Sequence, residues 1–247
     1  AYNPYGLAAE SEDILGNRVA ALPALFHSTQ KAAANNAKLK EIAFESFEDL
    51  NQVIGSNTPY RFRATHQHFG FYDEIHDQPH LLQEGIAHTG NYSLRIGPGS
   101  DLAFNQPSYA ENTTSIVDAV PFLLDESDFL PHFGFDPIAT GKDFRFMVSY
   151  WRKLGDQPVD NPGLYDQVAL EVAVQENTGT WDPLPGVTQE VRKSTIIDGW
   201  QKVDLYVTIP GSGNPNAQRV LFTFKNTSGQ QGYFDDFRVH PVHANMV

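Results

Sequence analysis

The sequence predicts an all-β protein built as a β-sandwich. Short apolar runs alternate residue by residue, turn-forming residues separate them at close intervals, and 17 Phe and 10 Tyr supply bulky side chains for a core. The chain has 247 residues, an ordinary length for one large β domain with an appendage. Its 40% hydrophobic content is enough to bury a real core.

Residues 1–43 stand apart. The segments Asp13 to Leu22 and Lys31 to Ile42 carry Ala, Asn and Lys in a helix-compatible pattern, with Pro23 between them. They are expected to form a short, partly helical N-terminal arm. From Phe44 onward the pattern is β. The strands expected are Tyr92–Ile96, Phe144–Trp151, Val168–Gln175, Val203–Ile209, Val220–Lys225 and Tyr233–Val239. Between them lie turn signals such as Gly97-Pro98-Gly99, Glu176-Asn177-Thr178-Gly179 and Asn226-Thr227-Ser228-Gly229. Polar connections over 50–88 and 98–140 are long enough to be functional loops or to carry small extra elements. The domain is therefore expected to span 44–242, with 243–247 opening a linker. The abrupt ends, with no secretion signal at Ala1-Tyr2-Asn3-Pro4, read as those of a piece of something larger.

Charge and composition exclude several functions. Thirty acids against 17 bases give a formal charge of −13, which argues against nucleic acid or an anionic membrane as partner. The absence of cysteine removes disulfides, thiolate metal sites and a cysteine nucleophile. No apolar run approaches the length of a membrane span, and neither a phosphate-binding glycine loop nor a serine nucleophile elbow is present.

Tyr233-Phe234-Asp235-Asp236-Phe237-Arg238-Val239-His240 raises a chemical question. Strict alternation places Tyr233, Asp235, Phe237 and Val239 on one face, three of them large and apolar, so Asp235 points inward. A bare buried carboxylate costs several kcal/mol. A bound cation would compensate it, and calcium suits carboxylate and carbonyl oxygens best. Hydrogen bonds from loop amides would serve as well.

A second set of candidates lies on strand faces turned away from the core. Along Phe144–Lys153 the core face is Phe144, Phe146, Val148 and Tyr150, which leaves Arg145, Met147, Ser149, Trp151 and Lys153 opposite. Along Trp200–Ile209 the core face is Val203, Leu205, Val207 and Ile209, which leaves Trp200, Lys202, Asp204 and Tyr206 opposite. Aromatic rings beside charged groups suit a sugar, whose C–H face stacks on the ring while its hydroxyls bond to the charges. Trp151, Trp200, Tyr206, Arg145, Lys202 and Asp204 are thus the candidate glycan-binding residues. The same tryptophans would serve equally well to pack under a long loop or the N-terminal arm.

Phe47-Glu48-Asp49, His88-Thr89-Gly90-Asn91-Tyr92-Ser93-Leu94, Ser149-Tyr150-Trp151, Gly199-Trp200 and Tyr233-Phe234-Asp235-Asp236-Phe237 follow one another in this order. Over residues 44–240 the chain resembles the galactose-binding-like β-jelly-roll of carbohydrate-binding modules. The resemblance implies a structural calcium held by Glu48, a carbonyl at or near Thr89, the Tyr92 carbonyl and Asp235. It also implies a non-catalytic, glycan-binding module. Asn3-Pro4-Tyr5-Gly6, the segment Glu41 to Asp49 and Val239-His240-Pro241 through Asn245-Met246 are similar to a jelly-roll segment of very large surface proteins of Bacteroidetes-type bacteria, where it lies beside RHS/YD-type repeats. That similarity implies an extracellular or cell-surface setting with neighbouring domains. The rival expectation is an architectural or adhesion spacer with no glycan ligand.

Two other constellations have the residue types for chemistry. His66, His68, His76, His80 and His88 fall close together, at spacings that can hold a transition metal. Glu171 and Asp204 are candidates for the paired acids of a glycosidase, although Ala169 and Ala173 beside Glu171 provide none of the usual flanking aromatics.

Overall fold

The computed structural model describes residues 8–23, 30–48, 78–107, 143–159, 161–176, 186–210 and 217–246. Fourteen strands occur among these residues, with a single one-turn helix α1 (Pro162–Tyr165) and two short 3-10 turns. The protein is an all-β sandwich.

The larger sheet follows the order β10 (Thr188–Ile197), β11 (Trp200–Ile209), β8 (Phe144–Leu154), β13 (Gly232–Pro241), β6 (Tyr92–Ile96) and β5 (Leu82–Glu84). A short strand β4 (Ala43–Glu45) also pairs with β13. Opposite stands a three-stranded sheet of β7 (Ser100–Pro107), β12 (Ala217–Asn226) and β9 (Val168–Glu176). Every pairing is antiparallel, as expected where each sheet keeps one face on the core.

The alternation read from the sequence sets the core. Phe146, Val148 and Tyr150 of β8 face Val168, Leu170 and Val172 of β9 and Phe222 and Phe224 of β12. Val203, Leu205, Val207 and Ile209 complete the layer from β11. Phe222 and Phe224 meet Phe234 and Phe237 edge to face at centroid distances of 4.7–5.4 Å, the geometry the ring quadrupole favours. Each fully buried phenylalanine stabilises by about 1.5–3 kcal/mol. Arg152 also lies on the core face. It is buried, and its guanidinium bonds Gln201 Oε1, the Val168 carbonyl and Asp166. Complete pairing is what makes a cation tolerable there.

Three expectations are corrected. Among the described residues the arm is strand, not α-helix: β2 (Arg18–Pro23) and β3 (Gln30–Asn35) lie in the segments expected to be helices, and a 3-10 turn spans Leu39–Glu41. With β1 (Glu10–Glu12) and β14 (Asn245–Met246) they form a separate four-stranded sheet. Its register sets Ala20 against Ala34 and Leu22 against Ala32, all buried. These apolar residues repeat every two positions, and together with Ile42, Phe44, Ala244 and Met246 they build a second small core. Cross-strand burial overrides alanine's helix preference. Secondly, residues 243–247 do not simply open a linker, because Asn245 and Met246 pair with β3.

The third correction concerns β13. Its register against β8 shifts between Asp235 and Arg238, and Asp236 adopts φ +48°. The bulge inserts an unpaired residue and reverses the phase of alternation. Phe234, Phe237 and Val239 therefore face the core, while Tyr233 and Asp235 face outward beside Lys153 and Trp151.

Candidate functional site

The outer face of the larger sheet is continuous along β8 and β11. Register pairs Trp200 with Lys153, Lys202 with Trp151, Asp204 with Ser149, Tyr206 with Met147, and Thr208 with Arg145. Five of the six candidate glycan residues thus follow one another along this face. Arg145 sits at its far end, exposed, about 20 Å along the strand from Trp151. The Arg192 guanidinium lies 4.7 Å from the Tyr206 ring centroid, and Lys202 Nζ is 3.0 Å from Asp204 Oδ1. Much of the charge on this stretch is therefore engaged within the protein.

The tryptophan end is roofed. Residues 85–91 turn back over the sheet, and His88 stacks on Trp151 with ring centroids 3.7 Å apart and planes at 12°. Trp200 meets His88 edge-on at 6.0 Å and is 5% exposed. Neither ring is the open platform that alternation alone suggests.

Carboxylates hold this roof. Asp235 Oδ2 accepts from the His88 and Thr89 amides at 2.7 and 3.1 Å, and Oδ1 accepts from the Asp236 amide at 2.7 Å. Asp236 accepts from the Thr89 hydroxyl at 2.8 Å and lies 2.7 Å from His88 Nδ1. A carboxylate can only accept, so that ring nitrogen carries the hydrogen. Glu48 Oε1 accepts from the Asn91 and Tyr92 amides at 2.8 and 2.7 Å. Gly90 makes the turn possible, with φ +70°; a Cβ there would lie 2.4 Å from the Glu48 carboxyl carbon. Burial and, next, the charge of Asp236 push the Asp235 carboxyl up to about 8, partly offset by the amides.

Glu48, Thr89, Tyr92 and Asp235 do converge on one turn. Thr89 and Tyr92 present N–H groups to the two carboxylates there. Among the described residues, no group of three or more His, Asp or Glu is placed to hold a metal ion. Of the clustered histidines, His66, His68 and His76 lie outside the described residues, His80 is exposed and His88 belongs to the roof.

Beside the roof opens a cleft of about 440 Å³. One wall is Gly85 to His88; the rest is Lys153, Asp156, the Ile197–Asp198 turn and Trp200. The volume falls in the roughly 300–1,000 Å³ range of small-molecule sites. Asp156 Oδ1 accepts from the Tyr233 hydroxyl at 2.5 Å, which fixes that carboxylate at the rim. Burial raises the Tyr233 phenol well above its ordinary value, and the Asp156 charge adds to the effect. Lys153 Nζ stands 6.0 Å from the Trp200 ring centroid. Hydrogen-bond donor, acceptors and an indole edge meet in one concave space.

Sequence reading located Trp200 but not the cleft. Lys153 was visible on the outward face. Asp156, Asp198 and the roofing role of His88 depend on chain folding back from elsewhere, which alternation does not report. The glycosidase pair is not assembled. Glu171 projects from β9 in the three-stranded sheet and Asp204 from the outer face of the other, so they lie on opposite sides of the sandwich.

Fold and cleft define a β-sandwich with a partly polar end pocket. No family model matches the chain, and neither does any curated protein. Among solved structures, the chain has a weak similarity to the CBM22-1 xylan-binding domain of Xyn10C from Paenibacillus barcinonensis. Identity is 12%, the match covers 65% of this chain and 79% of that one, and the TM-score is 0.31. So slight an overlap bears on neither ligand nor binding residues.

Proposed function

We propose that this protein is a non-catalytic carbohydrate-binding module of an extracellular or cell-surface protein. The cleft carries this reading: an indole edge, an ammonium and two rim carboxylates surround a space of monosaccharide scale. A pyranose offers that arrangement apolar C–H edges and hydroxyls that both donate and accept. Lys202, Asp204 and Tyr206 extend the polar surface for further sugar units along the strands, with neighbouring domains of the parent chain beyond. Affinity electrophoresis against a broad polysaccharide panel tests the reading. Retardation by at least one glycan is expected, weakened about tenfold, or 1.4 kcal/mol, by Asp156→Ala or Trp200→Ala. No retardation across the panel would overturn it.

One observation favours an architectural spacer instead. The conspicuous tryptophans are spent on internal packing, and β14 ties the C-terminal end into the N-terminal sheet. Such a spacer would bind nothing on the panel.

A further inference from the structure

Lys153 is 8% exposed, and among the described residues no acceptor or carboxylate pairs with its ammonium, which lies 6.0 Å from the Trp200 ring centroid. Buried Arg152, on the same strand, is paired with Asp166, and half-buried Lys202 with Asp204. The two carboxylates that share the cleft lie at its exposed rim, and Asp156 is bonded by Tyr233. The Lys153 side chain is mostly buried, but its ammonium lines the cleft, where a ligand carboxylate would gain a charge-assisted hydrogen bond.

We propose that the cleft selects an acidic sugar, a uronic acid residue, with its carboxylate on Lys153 and its hydroxyls donating to Asp156 and Asp198. The inference rests on the carbohydrate-binding reading and names the substrate class of the same site. A neutral sugar would leave the ammonium facing only a hydroxyl. A simple anion would find nothing for the rim acids to accept from. A uronate has both kinds of group, set a few ångströms apart on one ring. The charge of −13 does not steer acidic polymers toward the protein, so selectivity arises locally, within the ~8 Å over which charges act at physiological salt.

The decisive comparison uses wild-type protein. Binding of de-esterified polygalacturonate is set against its fully methyl-esterified form and against a neutral galactan, by isothermal titration at low and high salt. The expected result is at least tenfold tighter binding of the free acid, with the preference shrinking as salt rises. Lys153→Met, which keeps the aliphatic stem over Trp200, is expected to abolish the preference while leaving the melting temperature within a few degrees. Equal or tighter binding of the ester or the neutral polymer overturns this inference but leaves the carbohydrate-binding reading standing. If no polymer binds, both fall.

Discussion

At Asp235 a buried carboxyl is met by the amides of a loop. It is completely buried, yet three backbone amides face it and a second carboxylate adjoins it. Its carboxyl is raised from 3.8 to about 8, so the folded state favours the protonated form. The stabilisation associated with that proton is fully present below pH 4 and is lost as pH rises toward 8. The melting temperature of wild type relative to Asp235→Asn should therefore fall between pH 4 and 8, then level off. A divalent ion at this carboxylate would reverse the sign, with stability rising over the same window and a chelator lowering the melting temperature by several degrees. Differential scanning fluorimetry with and without chelator distinguishes the two. Arg152 offers a second test. Arg152→Ala would leave buried Gln201 Oε1 without its donor and open a buried void, at a cost of about 2–5 kcal/mol in chemical denaturation.

Among the elements, the turn over residues 85–91 matters most, because it forms a wall of the cleft and has little regular structure of its own. Glu48, just past β4, and Asp235 and Asp236, at the bulge within β13, hold it. Gly90→Ala forces a Cβ against Glu48 in a left-handed conformation and should cost about 1–3 kcal/mol. If the wall shapes the ligand site, the same variant should also weaken glycan retardation; loss of stability with unchanged affinity would show that the wall is dispensable. The bulge in β13 belongs to this account. By reversing the phase after Asp236 it allows one strand to give Phe237 to the core and Asp235 to the turn.

Across the whole molecule, a main sandwich core and a small alanine-rich core are linked at β4, whose Ala43 belongs to the first and Phe44 to the second; Arg238 lies 5.2 Å over the Phe44 ring. Among the described residues no helix is long and apolar enough to cross a membrane. The strands at Tyr92–Ile96, Phe144–Trp151 and Val203–Ile209, and the inward faces of the last two, were legible directly from alternation, because a strand's side-chain period is local and burial enforces it. The same rule failed at 13–42, where short alanine runs carry both helical and two-residue periodicity and only pairing with β14 and with each other chooses between them. It failed again at Asp236, since an inserted residue leaves no mark in an apolar pattern.

What lay in the linear chain was thus the sandwich, its core faces, and the outward line from Trp151 to Tyr206. Folding alone brought His88 over Trp151, set Asp156 and Asp198 around Lys153, and turned Asp235 away from the core. Hydrophobic periodicity is a property of adjacent residues, whereas the roof and the capped Asp235 carboxyl join residues far apart in the chain, 147 positions for His88 and Asp235.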